Sequence, residues 1–69
     1  MIHVALASFG MSGKVFHAPF IMQHPHFQLS AVVERHNNES KELYPQSRLY
    51  RSVEEMLQDP IIDLVVVNT

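Results

Sequence analysis

The sequence predicts an α/β fold built on an open parallel sheet, and three observations lead there. Apolar runs with strand character, Ile2 to Ala7, Leu29 to Val33 and Ile61 to Thr69, alternate with stretches whose apolar residues recur at helical spacing. The last run holds the string LVVVN, in which Leu64 to Val67 offer no polar face, as in parallel strands covered by helices on both sides. With 69 residues, 46% of them hydrophobic, the chain has room for one small domain at most.

Ile2 to Ala7 is interrupted only by His3 and stops at the string SFGMSG, so it reads as a buried strand entering a tight turn. From Lys14, the residues Val15, Phe16, Phe20 and Ile21 predict a helix up to Gln23. Within it, Pro19 removes a hydrogen bond and should kink the axis near Val15 to His17. Phe16 and Phe20 are expected in the core, with Met11, Met22 and Met56 filling gaps. HPHF makes a loop, and Leu29 to Val33 forms a second strand ending at Glu34 and Arg35. Asn37 or Asn38 should cap a short helix that Pro45 ends. Ser47 to Tyr50 is a brief strand, and Ser52 with Glu55 has the spacing of a capping box that opens a helix through Gln58. Asp59 and Pro60 close that helix before the final strand. This order implies right-handed crossovers and the start of a doubly wound sheet. A chain stopping on an apolar strand reads as the incomplete first half of a larger fold, and its unpaired edge predicts self-association.

Composition removes several classes of function. The net charge is -2, and Lys14, Arg35, Lys41, Arg48 and Arg51 form no cluster in the sequence, which argues against nucleic acid. No apolar run approaches the roughly 20 residues needed to cross a bilayer, and no secretory leader is visible, so the expected compartment is the cytoplasm. The absence of cysteine excludes disulfides and thiolate zinc sites. His24 and His26 straddle Pro25 near His17, but no third ligand type clusters with them, so no metal is assigned. His17 receives no catalytic role.

The informative string is Ser8-Phe9-Gly10-Met11-Ser12-Gly13. It matches G-x-G-x-x-G at its second and third glycines, between a strand and a helix, with Ser8 in the first position. Gly10 would admit a pyrophosphate close to the backbone, Gly13 would let helix and strand pack closely, and N–H groups from Met11 to Gly13 would face the phosphates. Glu34 ends the second strand about 20 residues later, where an acidic side chain meets an adenosine ribose. The alternative is an ordinary strand-to-helix turn followed by a solvated carboxylate.

Together, SFGMSGKVFHAPFI, AVVER, SVEEMLQDP and DLVVVNT resemble the N-terminal portion of the glucose-fructose oxidoreductase and inositol dehydrogenase family (Gfo/Idh/MocA), across essentially residues 1–69. The resemblance implies a Rossmann NAD(P)-binding domain, here its first part, in an oxidoreductase acting on a sugar, inositol or related polyol. It implies that Phe9, Gly10, Met11 and Ser12 line the pyrophosphate, Glu34 and Arg35 the adenosine ribose, and Asn68 and Thr69 the nicotinamide side. Two departures stand out: Ser8 replaces the usual first glycine, and the family's Glu-Lys-Pro motif with its catalytic lysine is not in the sequence. No catalytic residue is therefore assigned, and the 69 residues alone are expected to be inactive. Glu34 would repel a 2′-phosphate and leans the choice toward NAD, whereas Arg35 could admit NADP. A non-enzymatic nucleotide-binding or regulatory module, or a fragment without independent function, remains the alternative.

Overall fold

The strands form because short β-branched and apolar runs can pair edge to edge while their alternate side chains enter two separate cores. In the computed structural model, which describes residues 1–7 and 17–67, they are β1 (Ile2–Leu6), β2 (Phe27–Val33), β3 (Arg48–Tyr50) and β4 (Leu64–Val66). All pair in parallel in the order β3-β2-β1-β4. Between them run α1 (Ala18–Gln23), α2 (Glu39–Leu43) and α3 (Val53–Leu57). The predicted sequence of elements and the direction of every pairing hold.

One face of the sheet gathers Val4, Leu6, Leu29 and Val32 under Ala18 and Ile21 of α1, with Phe27, Tyr44 and Val66 packed at its border. The opposite face gathers Ala5, Ala31 and Val33 under Met56 of α3. A bulge between Val4 and Ala5 lets Leu29 pair with Val4 and Ala31 with Ala5, leaving Ser30 without a partner in the ladder. Ser30 Oγ lies 2.8 Å from His3 Nδ1.

Several boundaries differ from the expectation, each for a local reason. β2 begins at Phe27, inside the expected loop, because Phe27 pairs with Ile2 and the Ile2 N–H donates to the His26 carbonyl. Pro19 is the second residue of α1, and Val15 and Phe16, where its kink is expected, lie outside the described residues, as does Met11. Phe20 is 66% exposed and Met22 44%, so neither joins the core; of the three methionines read as gap fillers, Met56 is fully buried. β4 is shorter than the apolar run that suggested it, and Leu64 is 42% exposed rather than covered.

α3 is capped as its sequence foretells. Ser52 Oγ accepts the Glu55 N–H at 3.1 Å, and its hydroxyl donates to Glu55 Oε1. α2 is capped differently. Asn38 stands at its N-cap but makes no capping bond with its side chain. A carboxylate from the end of β2 does so instead.

Candidate functional site

The carboxylate is that of Glu34. Its Oε2 accepts the Ser40 N–H at 2.8 Å, satisfying one of the donors that the start of any helix leaves unpaired. The residue is 7% exposed, and its own N–H donates to the Tyr50 carbonyl, prolonging the β2–β3 ladder by one bond. Glu34 therefore joins the end of β2 to the start of α2. The next residue, Arg35, is exposed.

Beside these residues opens a cleft of about 670 Å³, within the size range of small-molecule sites. It runs from Ala7, just past β1, across Val33 to Asn37 at the end of β2, to Arg51 and Ser52 at the start of α3. It lies at the carboxyl ends of parallel strands, where open α/β sheets take their ligands. Near Ala7 the order of strands turns: β2 is one neighbour of β1, β4 is the other, and the Ala7 N–H donates to the Val66 carbonyl at 2.9 Å.

Arg51 is the residue that inspection of the sequence missed. Seventeen positions of chain separate it from Glu34, yet the parallel register pairs Val33 with Tyr50 and so sets residues 34 and 51 side by side. Its Nη1 donates to the Asn37 carbonyl at 2.7 Å and to the Glu34 carbonyl at 3.3 Å, and Nη2 donates to Asn38 Oδ1 at 2.5 Å. These acceptors carry no formal charge, so they hold the guanidinium without neutralising it. Arg35 and Arg51, scattered in the sequence, line one cleft. The signal that finds such a pair is strand register, which requires knowing which strands are neighbours.

Of the residues proposed from sequence, the structure brings Glu34 and Arg35 to the cleft wall. Phe9, Gly10, Met11, Ser12, Gly13, Asn68 and Thr69 lie outside the described residues. His24 stacks on Phe27 with ring centroids 4.2 Å apart, and among the described residues no three His, Cys, Asp or Glu side chains are grouped as metal ligands. No helix among them is long and apolar enough to cross a membrane.

A second polar group lies at the far end of α3. Asp59 Oδ2 accepts from Tyr50 Oη at 2.6 Å and from Arg48 Nη1 at 2.8 Å, while Oδ1 accepts the Ile61 N–H at 3.1 Å. The Tyr50 hydroxyl, then the Ile61 N–H, hold this carboxyl below its ordinary value of 3.8 against the opposing effect of burial; Arg48 adds to them. The same hydrogen bond from its phenol to Asp59 raises the pKa of Tyr50. This group anchors β3 to the chain following α3 and takes no part in the cleft.

Comparison with known proteins decides the family. Residues 2–69 match the model of the oxidoreductase family with an NAD-binding Rossmann fold, GFO_IDH_MocA. The chain belongs to this family. Members resembling it include the NADP(+)-dependent scyllo-inositol 2-dehydrogenase IolW of Bacillus subtilis, 34% identical over 99% of this chain and 19% of the relative. The uncharacterised oxidoreductase YdgJ of Escherichia coli is 31% identical over 99% of this chain and 20% of its own length. A Bacteroides fragilis crystal structure, provisionally called an oxidoreductase, superposes with a TM-score of 0.94 at 58% identity over the whole chain and 20% of its own. A similarly described Klebsiella pneumoniae structure gives 0.89 at 37% identity, over 99% of this chain and 20% of its own. The chain thus spans about a fifth of the length of these Gfo/Idh/MocA relatives, corresponding to the first part of their Rossmann domain.

Proposed function

We propose that this chain forms the cofactor-binding portion of an NAD(P)-dependent oxidoreductase that moves hydride between nicotinamide and a carbon of a sugar, inositol or related polyol. The observation carrying this reading is the cleft at the carboxyl ends of β1 and β2, walled by Glu34, Arg35 and Arg51. It fits the adenosine end of a dinucleotide: Ala7 brings little bulk to one border, and polar side chains with charges of both signs form the other. When bound, nicotinamide supplies the hydride chemistry; the protein supplies orientation and electrostatics. Gly10 would let the pyrophosphate approach the backbone, Gly13 would let helix and strand pack closely, and Asn68 and Thr69 would border the nicotinamide. The inositol in the name of one relative supports a polyol substrate.

The sequence alone leans toward NAD because Glu34 would repel a 2′-phosphate. Glu34 and Glu54 line the cleft with Arg35 and Arg51, so formal charges there offset one another, and it is the NADP(+) in the name of one relative that tips this reading toward NADP. The test is titration of the full-length protein with NADPH and NADH, followed by fluorescence. Wild type is expected to bind both, NADPH more tightly, and Gly10→Val to lose at least about tenfold in affinity for each because a side chain would occupy the pyrophosphate's path. Equal binding by wild type and Gly10→Val would remove the glycine turn from the site, and wild type binding neither would end the proposal.

A further inference from the structure

We infer that Arg51 is a specificity-determining positioning residue, which sets the preference between NAD and NADP by holding the segment from Glu34 to Asn38 in one conformation. The inference rests on the cofactor reading above but assigns a role to a residue outside the glycine turn and beyond the end of β2. The segment leaves the sheet after Val33 and must carry Glu34 and Arg35 along the cleft before α2 begins at Glu39. Asn37 and Asn38 are both exposed, and Asn38 makes no capping bond that would fix the turn from within.

Two attachments from outside hold it. The Glu34 carboxylate takes the Ser40 N–H at the far side of the segment. The Arg51 guanidinium takes the carbonyls of Glu34 and Asn37 and the side-chain oxygen of Asn38, spanning the segment from its first residue to its last. A planar guanidinium can hold three acceptors in one fixed fork, which a lysine ammonium on a flexible stem cannot reproduce. Arg35 lies within this span, so its backbone position is set by bonds it does not itself make. A 2′-phosphate or a ribose hydroxyl would be judged by where Arg35 and Glu34 are held, and Arg51 decides that.

The experiment compares dissociation constants for NADPH and NADH in full-length wild type, Arg51→Met, Arg51→Lys and Asn38→Ala, with a melting curve for each. Wild type is expected to prefer NADPH, and Arg51→Met to bring the ratio of the two constants at least about tenfold closer to one, the size of one lost charged hydrogen bond. Arg51→Lys should recover part of the ratio. Asn38→Ala removes a single acceptor at an exposed position, so it should shift the ratio in the same direction by less, and it serves if Arg51→Met does not fold. A purely structural arginine would weaken both cofactors alike or lower the melting temperature with the ratio unchanged, and that result overturns the inference. So does a wild type that binds both cofactors equally, whereas wild type binding neither refutes the cofactor reading itself.

Discussion

The two faces of the sheet are built from different side chains. Against Ala18 and Ile21 of α1 the sheet sets Val4, Leu6, Leu29 and Val32; against Met56 of α3 it sets two alanines and Val33. The first face gains its cohesion from apolar area. The second has less to bury and adds the Asp59 group, since Arg48 and Tyr50 pair in register with Ala31 and Val33 on that face. The small residues have a positional result: Ala7 and Val33, on the α3 face, border the cleft. Bulk has been withheld on the side where a ligand would enter, and polar ties replace part of the lost packing.

The largest effect should come from cutting into the apolar face. Leu29→Ala removes a fully buried side chain and is expected to destabilise by about 2–5 kcal/mol in urea unfolding, while cofactor affinity of the folded protein stays near wild type. Overfilling the other face should be milder for stability and harsher for binding. Ala31→Leu is expected to cost about 1–3 kcal/mol and, by pressing on α3, to move Arg51 and Ser52 and weaken NADPH binding. If both substitutions altered affinity alike, the division of labour between the faces would fail.

The smallest effect belongs to the polar tie. Because the folded-state pKa of Asp59 is depressed, its contribution is present above the ordinary value of 3.8 and lost as pH falls below that value. The urea midpoint of wild type should therefore drop in this acid range more steeply than that of Asp59→Asn. The exposed Arg48 side, at 59%, keeps the difference small. Parallel acid profiles for the two proteins would show that the tie adds nothing to the α3 face.

Much of this arrangement was legible in the sequence because it rests on local chemistry. The apolar runs specified the strands, Ser52 and Glu55 specified the start of α3, and Glu34 was found from its place after an apolar strand. Phe20 was placed in the core from its spacing and Met22 was read as a gap filler, yet the buried residues of α1 are Ala18 and Ile21. The capping of α2 by Glu34 and the reach of Arg51 across the segment were not legible. The first depends on how the connection between Glu34 and Ser40 turns, and the second arises only once β2 and β3 have paired.

The bulge in the β1–β2 ladder acts as a parity device. Side chains alternate along a strand, so Leu29 and Ala31 would ordinarily share a face; the extra residue Ser30 places them on opposite ones. Every residue of β2 after Ser30 is thereby counted from a new origin, which sends Val32 toward α1 and Val33 toward α3. Glu34 inherits that count. The side on which its carboxylate leaves the sheet is settled four residues upstream, by one serine that takes no place in the ladder.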